Sequence, residues 1–387
     1  MMKTRLHPLF VGSVMVVWAF GCEKVPTFKE LTSGETAAPP PSAAQPATQP
    51  NVVVTPAAES NPPVTSPEAP KEDPETLITA LNSKTGTLTD QEIVRATNVS
   101  EVTERLTTLD ASNSKVTDYG LLQLKQFPHL AQVNITGLQI TGSGIDGLAS
   151  LNELRELTAV FVKIGMPDGW EKLGKLSQIE RLDLRSSNIT DAEIHYLMSL
   201  SALKELNVSN TRITDAGLAE LAKLPNLEIL WIAGNQGING SGLLAFVRSK
   251  NKPGLRCLYA SSTTLSPEGM VNVKRIESLE LFDNTYANVN DQLLYELRTA
   301  NNLKSLIIPN NQLTSASGVT LRTLRNLEFL DLSKNSSVGD PILNALITLN
   351  ALKTLDLRHT GCTLAAVQEF RKRRKNCEVI FNDSPQQ

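Results

Sequence analysis

Aromatic residues make up only 5% of this chain, and histidine and cysteine occur four times each. That scarcity narrows the chemistry. The histidines, at positions 7, 129, 195 and 359, form no His-x-x-x-His, and no Cys-x-x-Cys occurs, so metal-ligand spacing is missing. Also missing are a glycine-rich phosphate loop, a Gly-x-Ser-x-Gly nucleophile turn and a zincin sequence. The expectation is therefore a protein with no catalytic residues, no metal and no cofactor. A net charge of −3 and a pI near 5.9 argue against nucleic acid as a partner. The one long apolar run, Leu9 to Phe20, falls short of the ~20 residues that a bilayer-spanning helix needs.

What the chain has in abundance is a phrase close to Leu-x-x-Leu-x-Leu-x-x-(Asn/Thr/Ser)-x-Ile-Thr-Asp. Copies start at Leu106, Leu130, Leu154, Ile179, Leu203, Leu227, Leu255, Ile276, Leu303, Leu327 and Leu352. A worn copy is placed at Ile78, with Leu81, Leu88, Thr89 and Asp90 in step. Most steps are 24 or 25 residues; those after Leu227, Leu255 and Ile276 depart, at 28, 21 and 27. A fixed period of this size means one supersecondary unit stacked many times.

The copy beginning at Leu203 shows how one unit folds. Leu206-Asn207-Val208 alternates apolar and polar, as a short strand with one buried face does. Thr211 is placed to satisfy backbone groups in the turn that follows. Ile213 re-enters the core, and Thr214-Asp215 opens a helix carrying Leu218, Leu221 and Leu224. Capping-box spacing links Thr89 to Glu92 and Thr190 to Glu193. Ser266-Pro267 and Asp340-Pro341 place a capping side chain before a proline at the first helical position. No copy can bury its leucines alone, so stacking must supply the core.

This pattern resembles the leucine-rich repeat family, in its Ile-Thr-Asp-x-Gly-Leu variety similar to ribonuclease-inhibitor-like and cysteine-containing repeats. The motif glycine stands at Gly120, Gly217, Gly242, Gly269 and Gly318 and is replaced by Glu193 in one copy. The resemblance covers roughly residues 78–381. It implies an α/β fold, a curved leucine-rich repeat solenoid with a parallel sheet on the concave face and helices on the convex face. Fold alone does not carry a function.

Residues 1–21 read as an export signal, with Lys3 and Arg5 ahead of the apolar run. Ala19-Phe20-Gly21-Cys22 resembles a bacterial lipobox, which implies lipidation of Cys22; ordinary cleaved secretion to a periplasmic or outer space is the alternative. Residues 22–75 hold over half of the prolines and read as a disordered Pro/Ala-rich tether. As a coil, roughly 50 residues span about 40 Å. Residues 76–105 are assigned to an N-terminal cap or degenerate repeat, 106–381 to about eleven repeats and 382–387 to a tail. The final repeat reads as a helix and a short strand, Glu378 to Phe381, closing the solenoid. Cys362 and Cys377 in it are a possible disulfide of an exported protein, with two buried thiols as the alternative. The run Arg371 to Lys375 is a solvated helix face or a contact for an anionic surface.

Alternation along each strand sends one column of side chains out of the concave face. Its middle members are Asp110, Asn134, Thr158, Asp183, Asn207, Trp231, Tyr259, Glu280, Ile307, Asp331 and Asp356. Flanking columns add Ile229, Cys257, Phe329 and Phe282. Ile229, Trp231, Tyr259, Phe282, Ile307 and Phe329 thus gather into an apolar patch, with Arg181, Asp183 and Arg185 on one side and Asp331, Asp356 and Arg358 on the other as a polar rim. A patch of this kind suggests a binding surface, and Trp and Tyr are common anchors. The competing reading is burial through shifted register, or through cover by the Tyr286–Asn290 segment or the tether. The expected protein is an exported, lipid-anchored, membrane-associated scaffold of the bacterial cell envelope that binds a protein or glycan. Alternatives are a self-associating structural component, an enzyme inhibitor and an enzyme of unrecognised site.

Overall fold

The computed structural model describes residues 73–83, 86–165, 168–250 and 253–382. The expected export signal, Cys22, the expected tether up to residue 72 and residues 383–387 lie outside them.

Short strands recur at the predicted place in every copy but the one assigned to Ile276, and two further strands are additional. The strands are β1 Thr108–Asp110, β2 Gln132–Asn134, β3 Gln139–Ile140, β4 Glu156–Thr158, β5 Lys163–Ile164, β6 Arg181–Asp183, β7 Glu205–Asn207, β8 Ile229–Trp231, β9 Cys257–Tyr259, β10 Leu281–Asp283, β11 Ser305–Ile307, β12 Phe329–Asp331, β13 Thr354–Asp356 and β14 Glu378–Ile380. All but β3 and β5 form one 12-stranded parallel sheet in chain order; β3 and β5 pair separately. The central residue of each three-residue strand is an inward leucine or its equivalent, as in Leu182↔Leu206↔Leu230↔Leu258. These residues pack against the helix leucines, such as Leu218 and Leu221, in one continuous core.

The frame near residue 280 differs from the sequence reading. Phe282 pairs with Leu258 and Leu306, so this copy starts at Leu279 rather than Ile276. The irregular steps of 21 and 27 vanish, and Glu280 lies 24 residues from both Arg256 and Lys304. Ile276 and Leu279 had imitated the first two leucines of the motif because phenylalanine holds the second core position and Asn284 the third. One genuinely long repeat remains, with Glu228 and Arg256 28 residues apart.

Of the two readings of residues 76–105, the cap describes the start, while Leu88, Thr89 and Asp90 keep the roles of the worn copy placed at Ile78. Pro74–Ser83 is a helix, followed by the helices Asp90–Thr97 and Ser100–Arg105. Leu81, Leu88 and Val102 enter the core, and the side-chain oxygen of Asn82 accepts a hydrogen bond from the Asp110 amide at 3.3 Å. A capping helix thus meets the first strand where another repeat would have stood. At the other end, β14 pairs with β13 after the helix Leu364–Arg373. Arg374 donates to the carbonyls of Ile347, Asn350 and Leu352, and Arg371 to that of Val379. Two cations of the basic run are therefore spent on closing the solenoid.

The Thr-Asp of the motif has two separate jobs. The threonine caps its own helix: Thr190 and Thr89 complete both expected capping boxes, and Ser266 caps its helix as expected. The aspartate reaches across to the next copy. Asp90 accepts from the amide and hydroxyl of Thr117, Asp118 from Thr141, Asp191 from Thr214 and Asp291 from Thr314. Asp340 does the same for Thr363 and makes no cap of its own helix, which corrects the expectation drawn from Asp340-Pro341. The motif glycine follows from this. A Cβ on Gly217 would collide with Oδ1 of Asp191, which instead accepts the Gly217 amide at 3.1 Å.

The turn leaving each strand places one residue at positive φ. Asn113, Phe161, Ser186, Asn210, Ser262, Tyr286, Asn310, Lys334 and His359 adopt it, and Gly137 and Gly234 fill the same place in their copies. Asparagine and glycine accept this conformation readily. Phe161 and Tyr286 do not, and both are well exposed, at 65% and 53%.

Candidate binding face

Parallel register carries the outward residues into straight columns. Through Asn207↔Trp231↔Tyr259↔Asp283↔Ile307↔Asp331↔Asp356 runs the column on the C-terminal side of the core leucines. Beside it runs Glu205↔Ile229↔Cys257↔Leu281↔Ser305↔Phe329↔Thr354. Ile229, Trp231, Tyr259, Ile307 and Phe329 therefore do come together on one face. Phe282 does not: it is fully buried in the core beneath that face. Leu281 and Asp283 take the outward places, and the three-residue frame error concealed them.

Trp231 and Tyr259 stack nearly parallel, with ring centroids 5.0 Å apart and an interplanar angle of 7°. Each ring shields one face of the other. The patch is much less exposed than the sequence suggested: Ile229 is 5%, Trp231 3%, Tyr259 7% and Phe329 6% exposed. Ile307 is half-buried. Burial also pushes the Tyr259 hydroxyl well above its usual range.

The carboxylates on this face divide into two kinds. Asp183 is held by Arg185, with Nε–Oδ distances of 2.9 and 3.1 Å, and Asp356 is held by Arg358 through the same Asp-Leu-Arg spacing. Arg181 binds Glu156 at 2.8 Å. Asp283 and Asp331 have Thr285 and Ser333 where those copies have arginine. They accept from the Thr285 and Ser333 amides, and Asp283 also from the Thr285 and Ser261 hydroxyls. Burial raises the pKa of Asp283, and burial with the neighbouring Asp356 charge raises that of Asp331. Burial lifts Glu205 to about 7 and raises Asp183 against the pull of Arg185. Two buried polar atoms of these columns, Asn207 Nδ2 and Ser305 Oγ, have no hydrogen-bond partner.

A further column lies at the entry to the strands, and sequence reading missed it. Its members are Arg155, Glu180, Lys204, Glu228, Arg256, Glu280, Lys304, Glu328 and Lys353, alternating in sign throughout. Ion pairs join Glu180 to Lys204 at 2.8 Å, Arg256 to Glu228 and Glu280 at 3.3 and 3.1 Å, Lys304 to Glu280 at 3.0 Å and Lys353 to Glu328 at 2.5 Å. The signal was legible one place after each motif start, provided the frame at Leu279 was right.

Cys362 and Cys377 are buried free thiols, which corrects the possible disulfide. They stand at opposite ends of the ten-residue helix Leu364–Arg373. Such a helix rises about 15 Å, whereas a disulfide needs Cα atoms within about 7 Å. A cleft of about 420 Å3 opens at the long repeat, lined by Leu224, Leu227, Phe246, Val247 and Leu255 among others. Among the described residues no group of three potential metal ligands occurs, and no helix is long and apolar enough to cross a membrane.

Fold and repeat chemistry together define a leucine-rich repeat solenoid. The leucine rich repeat family profile matches residues 177–236. A crystal structure of an internalin (inlF) from Listeria monocytogenes is similar in fold, with a TM-score of 0.53 and 18% identity, covering 81% of this chain and 95% of that one. Receptor-like protein 9b of Arabidopsis thaliana is 40% identical over 72 residues, which is 18% of this chain and 8% of that protein. Residues 177–236 thus carry leucine-rich repeats, and the fold is that of a leucine-rich repeat solenoid. The chain spans only a small part of the curated relative's length.

Proposed function

We propose that this protein is an exported, lipid-anchored scaffold of the bacterial cell envelope that binds another macromolecule through the sheet face at β8–β12, and that it is not an enzyme. The observation that carries the binding role is the set of outward side chains there. The described helices occupy the other side of the sheet, yet Trp231, Tyr259, Asp283 and Ser305 are desolvated on the side facing away from them. Aromatic and apolar groups gathered on a sheet face with polar groups around them are the ordinary make-up of a contact surface. The stacked and nearly buried Trp231–Tyr259 pair favours a protein over a glycan, because sugar stacking needs an open ring face. Arg181, Asp183 and Arg185, with Asp356 and Arg358, form charge pairs at the two ends of this stretch and act as its polar rim.

Anchoring rests on the sequence before the repeats: the basic start, the apolar run and Gly21-Cys22. The tether then holds the solenoid off the membrane. Proximity labelling in native cells, followed by mass spectrometry, tests both parts. A lipid-modified N-terminal Cys22 supports the anchor, and an unmodified later N-terminus defeats it. Trp231→Ala with Tyr259→Ala should lose the labelled partner while the circular-dichroism spectrum stays unchanged. Equal labelling would remove the face from consideration.

A further inference from the structure

The proposed binding face contains its own comparison of what its aspartates need. Asp183, Asp283, Asp331 and Asp356 occupy the same position on four strands. In the first and last copies an arginine two residues on neutralises the carboxylate at 2.6 to 3.1 Å. In the middle two that place holds Thr285 and Ser333, and neither carboxylate accepts a hydrogen bond from a lysine or arginine among the described residues. A buried carboxylate is costly without a compensating cation. Their raised pKa values agree with that geometry.

The two carboxylates flank one residue. Asp283 and Asp331 each pair in register with Ile307, on the strands to either side of β11. Adjacent strands lie about 4.8 Å apart, so the carboxylates are about 10 Å from each other across the Ile307 side chain. That separation excludes a shared metal ion, whose oxygen ligands sit at about 2.0 to 2.6 Å. It matches two cationic groups with an apolar group between them. Ser305, on the same strand as Ile307 and outward beside it, is 1% exposed with an Oγ that has no partner. A buried, unsatisfied hydroxyl on the strand between two carboxylates that no cation hydrogen-bonds, Asp331 feeling only the charge of the Arg358 that is bonded to Asp356, marks a place where a ligand's polar groups complete the bonding.

We propose that Asp283, Ser305, Ile307 and Asp331 receive a polypeptide segment of the partner that carries two lysine or arginine side chains about 10 Å apart, with an apolar side chain between them over Ile307. In extended chain alternate residues share a face, so a basic, an apolar and a basic residue at i, i+2 and i+4 meet this surface together; their backbone span of about 13 to 14 Å is closed to the carboxylate separation by the long basic side chains leaning inward, and the segment runs across the strands. The charge ladder from Arg155 to Lys353 does not compete for it, since its acidic members already hold their own cations. The inference rests on the concave-face reading and adds the chemistry of its partner.

A random peptide library displayed on phage, selected against the full chain, tests it. Peptides with two basic residues four apart and an apolar residue midway are expected to be enriched, and the enrichment is expected to disappear on Asp283→Asn/Asp331→Asn. A synthetic copy of a selected peptide should lose at least tenfold in affinity for that variant. Near-isosteric exchange should leave the circular-dichroism spectrum and melting temperature intact. If the double variant does not fold, Asp331→Asn alone is used, with a several-fold loss expected. Selection of acidic or uncharged peptides, or equal binding of basic peptides to wild type and variant, overturns the cationic partner but leaves the face standing. Selected peptides that bind Trp231→Ala/Tyr259→Ala as well as wild type overturn the face itself, as does recovery of no peptide at all.

Discussion

Asp191 and Thr214 stand one repeat apart and share two hydrogen bonds, from the threonine amide at 2.8 Å and from its hydroxyl at 2.5 Å. Because Thr214 also caps its own helix, each such pair ties a helix start to the one before it. Nearest-neighbour coupling of this kind is what makes a stack of small units fold as one body.

Gly217→Ala gives a test of the sign. In an ordinary helix the exchange stabilises by about 1 kcal/mol. Here the added methyl would collide with Asp191 Oδ1, so we expect a loss of about 1 to 3 kcal/mol in urea denaturation. Asp191→Ala also destabilises, by removing an acceptor that three groups use. The double exchange should cost less than the sum of the two. Strict additivity would break the proposed link.

The corrected frame predicts unequal outcomes for two neighbouring apolar residues. Phe282→Ala should cost about 3 to 5 kcal/mol, as a fully buried aromatic ring does. Ile307→Ala, at a half-buried outward position, should cost under about 1.5 kcal/mol. Denaturant midpoints would reveal the reverse order if Phe282 faced outward.

Glu205 ties stability to pH. Its folded pKa, about 7, lies above its ordinary value of 4.5 because burial disfavours the charge. Between those values the folded chain holds more protons than the unfolded one, so this group's contribution falls as pH rises from about 4.5 through 7. Glu205→Gln should flatten that part of the profile and be more stable than wild type above pH 7, by on the order of 1 to 3 kcal/mol. Thermal melts from pH 4 to 8 measure it, and a Gln variant less stable at pH 8 would contradict the assignment.

The two thiols of the last repeat should stay unpaired. Burial raises both, and lifts Cys377 to about 11, so the native protein should react slowly with iodoacetamide at pH 8. Denaturation should expose both to full labelling, even after exposure to air. Peptide mapping that found Cys362 joined to Cys377 would refute the helix spacing given above.

Much of the architecture was legible because leucine spacing is a one-dimensional signal. Leu206, Ile213 and Leu218 each enter the core where the motif puts them. The candidate face was harder. Asn284 and Phe282 fill core positions that leucine usually holds, so Ile276 and Leu279 offered a false frame and hid Leu281 and Asp283. The stacking of Trp231 on Tyr259 could not be read from identity, since it depends on a neighbour a repeat away, whereas their burial was the competing reading of the patch. The cross-repeat role of Asp191 or Asp340 was hidden for a related reason. An aspartate at a helix start already has a sufficient local explanation.

The ladder of opposite charges at the strand entries has a period of two repeats, while the fold has a period of one. Removing or adding a single copy between Arg155 and Lys353 would leave the leucine core in step and set two like charges against each other. Removing or adding two copies would restore every pairing. Within this stretch the smallest block that can be gained or lost without an electrostatic fault is a pair of repeats, so the chain obeys a rule of parity.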